Sequence, residues 1–151
     1  MKTRAFIICA CALIFLLCAC GEPEPEMSPY RKVNDLSGVA MSVKKGTAKP
    51  AGAEVSLANA NEKDCISGEF FAVERKYGDG WAIIDTLPAG DIAWRDIAYI
   101  IPGGGLLEMP IDWNYLYGEL KPGRYRIVKE FYYTSGDGQP DRYYLTAEFK
   151  I

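Results

Sequence analysis

The chain has 151 residues, 49% hydrophobic, 13% aromatic and 25% charged, with a formal net charge of −3 and no histidine. That length suits one packed domain and is too short for two ordinary ones. The acidic balance excludes charge-driven binding to nucleic acid or anionic lipid head groups, and the missing histidine excludes Ser-His-Asp and Cys-His catalysis and the commonest zinc ligand.

The first elements concern location. Lys2 and Arg4 precede an uncharged apolar run over residues 5–17, the n-region and h-region of a secretory signal. A spanning helix needs about 20 apolar residues, and Gly21 with Glu22-Pro23-Glu24-Pro25-Glu26 ends the run before that. Leu17-Cys18-Ala19-Cys20 resembles a bacterial lipobox, with Leu three residues before the cysteine and small Ala19 directly before it. The resemblance implies a diacylglyceryl group on the Cys20 sulfur and cleavage before it, so residues 1–19 read as a lipoprotein signal peptide. The expected location is the extracytoplasmic face of the cell membrane, held by acyl chains at about 0.8 kcal/mol per buried CH₂. Cys9, Cys11 and Cys18 leave with the signal, which makes Cys65 the free thiol of the mature chain. No intramolecular disulfide is then expected in spite of the exported setting. Net charge becomes −5, because Lys2 and Arg4 leave and no acidic residue does.

Residues 20–34 read as the lipidated cysteine and an extended, solvated tether, rich in Pro and Glu and without apolar periodicity. Short alternating segments follow. Val39, Met41 and Val43 share a face, as do Val55 and Leu57, and then Phe71 and Val73 with Glu74 and Lys76 opposite. Tyr77-Gly78-Asp79-Gly80 is a hairpin signal, because Gly and Asp accept the positive φ such turns need. Residues 81–85 return, 87–96 are irregular, and 97–101 form a short apolar strand stopped by Pro102-Gly103-Gly104-Gly105. Leu107, Met109, Ile111 and Trp113 then face one way, and Pro110 among them lacks an amide donor, which calls for a sheet edge or a bulge. Asn114 to Gly118 can form one helical turn. In the strand over residues 124–133, Lys129 falls on the apolar face and breaks the pattern, which a bulge or an emergent strand end would explain. The turn at residues 135–141 leads into a last strand with Leu145, Ala147, Phe149 and Ile151 in register.

About eight strands at regular spacing, and no convincing helical period over twelve residues, predict an all-β antiparallel sandwich of about 7–9 strands over residues 35–151. Leu120-Lys121-Pro122-Gly123-Arg124-Tyr125 has the spacing of a tyrosine corner, the packed crossing into a late strand of immunoglobulin-like sandwiches.

Chemistry is sparse. Asp91, Asp96, Glu108 and Asp112 lie in loops or alternate with apolar residues, as solvated strand faces do; a carboxylate-dependent hydrolase acting on glycans is the alternative they leave open. Asp79 and residues 137–141 do not match the EF-hand ligand spacing. Gly103-Gly104-Gly105 lacks the Lys-Ser/Thr of a phosphate loop. No metal, cofactor or catalytic residue is expected. Cys65 has Lys63 and Asp64 beside it with opposing effects on a thiolate, and reads as structural. Trp113, Tyr125 and Trp81 read as core aromatics. Trp94, Tyr115 and Tyr117 sit in connections and are the candidate interface residues, since Tyr and Trp anchor interfaces.

With these residues in place, the chain resembles a bacterial immunoglobulin-like domain family of small envelope lipoproteins. The matching pieces are Gly68-Glu69 with Phe71, Val73-Glu74-Arg75-Lys76, Gly80-Trp81, Ile111-Asp112-Trp113, Tyr115-Leu116-Tyr117-Gly118, and Leu120 with Pro122-Gly123 and Tyr125-Arg126-Ile127. The resemblance implies an immunoglobulin-like fold in the cell envelope and carries no catalytic residue or ligand with it. The expected role is a membrane-anchored, non-enzymatic binding or accessory module whose partner is an envelope protein or glycan.

Overall fold

Strand alternation builds two antiparallel sheets in the computed structural model, which describes residues 24–88, 90–134 and 138–151. The signal peptide, Cys20, residues 21–23 of the tether and Asp137 lie outside the described residues. In chain order the elements are β1 (Val39–Val43), β2 (Gly52–Asn59), β3 (Cys65–Tyr77), β4 (Gly80–Ile83), β5 (Tyr99–Ile101), β6 (Gly105–Asp112), α1 (Asn114–Tyr117), β7 (Arg124–Tyr133) and β8 (Asp141–Lys150). One sheet runs β1-β2-β6. The other runs β4-β3-β7-β8, with β5 pairing the start of β3. β5 is shorter than the apolar pattern predicts, because Ile97 bonds back to Arg95 instead of joining the ladder.

The core fills the space between the sheets. Val39, Met41, Val55, Leu57 and Ile111 come from one side, and Val73, Ile127, Phe131, Leu145, Ala147 and Phe149 from the other. Full burial of a large apolar side chain contributes about 1.5–3 kcal/mol. Pro110 pairs Glu54 on β6, the edge strand of the smaller sheet, where a missing amide donor leaves no partner unmatched. The β3–β4 hairpin closes with Tyr77 opposite Gly80, and Gly78 takes the positive φ of 53°. Gly103 is required by contact: a Cβ there would stand 2.0 Å from the Glu62 carbonyl oxygen.

The crossing from β6 to β7 is closely packed. Trp113 is fully buried, and its indole N–H donates to the Pro50 carbonyl at 2.6 Å. Its ring stacks on Phe149 at 5.0 Å between centroids, and Phe149 stacks on Tyr125 at 5.6 Å. The Tyr125 hydroxyl donates to the Lys121 carbonyl at 2.7 Å, four residues back. Gly123 makes room for this ring, since a Cβ would lie 3.2 Å from it. Buried Leu120 donates its backbone N–H to Pro50.

Two features differ from the pattern in the sequence. Trp81 is not a core residue: it pairs Lys76 on the outer face of the larger sheet and lies 5.0 Å from both the Lys76 amine and the Arg126 guanidinium. Residues 26–34, assigned to the tether by composition, are packed as a strap over that face. Met27 forms an antiparallel bridge with Ala82, and the Asn34 side chain pairs with Thr146 on β8 through bonds of 2.9 and 2.8 Å. Beneath the strap Glu74 and Arg126 are buried as an ion pair at 2.6 Å, with Ser28 Oγ accepting from Arg126 at 3.0 Å. Alternation alone reads these two charges as solvated. They are dry because sequence-distant backbone covers them.

The Tyr125 contacts give a graded expectation. Tyr125→Phe keeps the stacking and removes one hydrogen bond, for a loss of about 1–2 kcal/mol. Tyr125→Ala also opens a cavity and should lose about 3–5 kcal/mol. Tyr115, 77% exposed, should tolerate Ala with little change. Urea unfolding of the three variants measures the series, and a destabilising Tyr115→Ala with a neutral Tyr125→Ala would reverse the assignment.

Candidate functional site

β3 carries two more residues than β7 where they pair. Ser67 faces Phe131 and Phe71 faces Lys129, so four steps on β3 match two on β7. The surplus makes a bulge at Gly68, Glu69 and Phe70. Lys129, fully buried on the inner face of β7, turns its amine into that bulge and donates to the Gly68 carbonyl at 2.9 Å and the Phe70 carbonyl at 3.0 Å. The bulge is thus the physical answer to a lysine on an apolar face, and it lies on the partner strand. Burial pushes the Lys129 amine down to about 8, with Glu69 and Glu130 acting weakly the other way.

The bulge also divides the free edge of β3. Residues 65–67 pair β5 and residues 74–77 pair β4, leaving residues 68–73 without a strand on that side. The connection over residues 84–98 covers the gap. Glu69 holds it there: its carboxylate accepts from Arg95 Nε at 2.8 and 3.0 Å, from Nη2, and from the Arg95 backbone N–H at 2.9 Å. Hydrogen bonding to Arg95 lowers the Glu69 carboxyl below its ordinary value. A cleft of about 340 Å³ opens beside this pair, lined by Phe71, Lys129, Tyr99, Met109 and Asp112 among others.

Aromatic rings gather at the same place. Trp94, half-buried on the connection, meets Phe70 at 5.4 Å and Phe71 at 5.3 Å, both edge-on. Tyr117 of α1 lies 6.5 Å from Phe71, and its hydroxyl accepts the Val73 backbone N–H at 3.3 Å, capping one donor of the open β3 edge. Burial raises the Tyr117 hydroxyl above its ordinary value. Of the three interface candidates, Trp94 and Tyr117 therefore converge on Phe71. Tyr115 points away from the cluster into solvent.

The remaining sequence candidates have local roles. Glu108 pairs with Lys44 at 2.9 Å and accepts from Ser56 on the outer face of the smaller sheet. Asp112 accepts the Asn114 backbone N–H at 2.9 Å at the start of α1. Asp91 and Asp96 are exposed on the connection. Cys65 is buried, and burial pushes its thiol up to about 11, away from nucleophilic character. Among the described residues no group of three or more acidic or cysteine side chains is arranged to hold a metal ion.

A family model described as Bacterial Ig-like domain matches residues 35–150. The chain belongs to the bacterial Ig-like domain family. No curated protein and no solved structure matches it. The family is generally non-catalytic and fits a binding or accessory module. The match to the bacterial Ig-like domain begins at Asp35, so the strap over residues 26–34 is an addition to the matched region.

Sequence reasoning marked Lys129 as an anomaly and missed Glu69, Arg95 and Phe71 as parts of a site. The available signals were an inward lysine on one strand and Gly68 inside a neighbouring strand pattern, which together point to a bulge.

In this bacterial Ig-like domain Lys129 carries a pH signature. Its folded-state value is about 8 against an ordinary 10.5. Between these values the unfolded chain holds a proton that the folded chain has released, so stability rises with pH from about 8. Burial raises the Tyr30 hydroxyl to about 12 from 10.0. That group holds its proton longer in the fold, so its contribution falls with pH above about 10. Burial also raises the Cys65 thiol to about 11 from 9.0, which takes stability away from about pH 9 upward. Of the roughly 2 kcal/mol that Lys129 adds between pH 8 and 10, urea unfolding should therefore show a net gain of about 1 kcal/mol. Lys129→Met should abolish the gain; an unchanged slope in the variant would place the titration elsewhere.

Proposed function

We propose that the protein is a lipid-anchored, extracytoplasmic binding module of the cell envelope, without catalytic activity, whose partner is an envelope protein or glycan. The observation that carries the binding role is the convergence of Trp94 and Tyr117 on Phe71 beside an open cleft. An amphipathic ring that is half-exposed and already held by two neighbours loses little freedom when a partner covers it. The cleft adds polar groups from Arg95, Tyr99 and Asp112, a mixture that fits sugar hydroxyls or peptide backbone. The anchor follows from the apolar run, Leu17, Ala19 and Cys20 in that order. Burial of acyl chains then supplies the membrane affinity that an acidic domain lacks. Glu108 and Asp112 are engaged with Lys44 and the α1 backbone, and no observation favours the hydrolase alternative.

Two measurements test the halves separately. Fatty-acid labelling of cells should mark the wild-type chain and not Cys20→Ala, which should persist as precursor; continued labelling of the variant would sink the lipobox reading. For binding, immobilised residues 24–151 should capture a partner from solubilised envelope material. Trp94→Ala should reduce that capture at least several-fold while still unfolding cooperatively. Equal capture would move the binding surface away from the cleft.

A further inference from the structure

The docked strap shortens the distance between the domain and any lipid on Cys20. A tether running freely to residue 34 would reach about 50 Å, but only six residue steps separate Cys20 from Glu26, a reach of about 20 Å. Glu26 is already part of the sheet: its carbonyl accepts the Ile83 backbone N–H at 2.8 Å, and Ser28 donates to the Trp81 carbonyl at 2.9 Å. The strap therefore fixes which side of the sandwich is nearest the anchor. That side is the β4 edge: the strap runs antiparallel to β4, so the chain toward Cys20 leaves past Ile83, with the β3–β4 hairpin still within the linker's reach of Glu26.

Its surface has the right character for a lipid interface. Met27 bridges Ala82, Ala82 pairs Arg75, and Tyr77 lies two residues along the same face. Met27 is 47% exposed and Tyr77 49% exposed. The Met27 side chain also closes over Gly80, the partner of Tyr77, since a Cβ on that glycine would meet its methyl carbon at 2.7 Å. Pro25, Arg75, Lys76 and Tyr77 border a hollow of about 530 Å³ beside them. The long cationic stem of Arg75 and the Tyr77 ring, on one face, are of the kind that settles at the head-group level of a membrane. Glu24 and Asp79 flank the patch, so the acyl anchor supplies the affinity and the patch only sets orientation.

We propose that the Met27, Arg75 and Tyr77 face of the β4 edge rests on the bilayer surface that carries the Cys20 lipid, holding that edge down. This rests on the lipid-anchor reading above. The start of β8 marks the opposite end of the sheet. Arg142 pairs Tyr132, which pairs Ile66; with the β3 bulge discounted, nine strand steps separate that position from Tyr77, about 30 Å.

The test uses the full chain, processed in a bacterium, purified from membranes and reconstituted into phosphatidylcholine vesicles with a head-group nitroxide lipid. In a Trp81→Phe, Trp94→Phe background, buried Trp113 gives a constant signal, and a reporter tryptophan is added by Tyr77→Trp or by Arg142→Trp. Quenching several-fold stronger for Tyr77→Trp supports the proposal. A flexible ten-residue insertion after Gly21 should leave that difference in place if the patch itself holds to lipid, and erase it if the short linker alone sets orientation. Equal quenching at both reporters, or stronger quenching at Arg142→Trp, overturns the proposal. Mass spectrometry of the same samples separates the two readings. Acyl mass on Cys20 with equal quenching sinks only the orientation, whereas absence of acyl mass sinks the anchor and the orientation with it.

Discussion

The buried Lys129 amine constrains this sandwich more than any other single group. A charged or polar amine in an apolar core is costly unless its hydrogen bonds are met. Here they are met by two backbone carbonyls that a regular β3 would have committed to its ladder. Two extra residues in β3 free the Gly68 and Phe70 carbonyls for the amine. The same two residues interrupt the β3 edge, so β5 and β4 each pair one end of it and neither pairs the middle. The connection between them must then cross that gap, and Glu69 on the bulge holds Arg95 in place. Cleft, clamp and aromatic cluster all follow from one inward lysine.

A second constraint works on the opposite face. Val128 is fully buried although it points away from the core between the sheets, and Glu74 and Arg126 beside it are buried as well. The strap is the missing layer. It crosses from Ala82 on β4 to Thr146 on β8, with the Tyr30 ring 4.9 Å from that of Tyr144. The buried pair it covers is specific more than it is strong: one Glu74 oxygen has no partner among the described residues, and desolvation offsets much of the attraction in such pairs. Removing one partner alone would leave a buried charge. Its presence ties the outer sheet face to the strap in one arrangement.

For function, the two constraints divide the molecule. The bulge side presents rings and polar groups at an opening, and the strap side carries the chain toward the proposed anchor. Glu108, Asp112 and the Cys65 thiol have structural explanations: an ion pair on a strand face, the start of α1, and a buried side chain. Such a surface suits the binding or accessory role that the family suggests.

The sequence by itself determined the all-β class, about eight strands, an edge or bulge at Pro110, the glycine turn at Gly78 and the Tyr125 crossing. Each of these depends on residues close together in the chain, where alternation, a missing amide proton or a positive φ acts locally. It also marked Trp94 and Tyr117, because aromatics in connections stand outside the strand pattern, though the same reasoning marked Tyr115, whose ring meets none of that cluster. Tertiary structure alone decided that Lys129 is satisfied, that Trp81 lies outside the core, that Glu74 and Arg126 are dry, and that residues 26–34 are packed instead of solvated. Most of these outcomes join residues about fifty to over a hundred apart, as in Glu74 with Arg126 and Asn34 with Thr146. Periodicity says which face of a strand a side chain occupies. Only the packed molecule says what lies against that face.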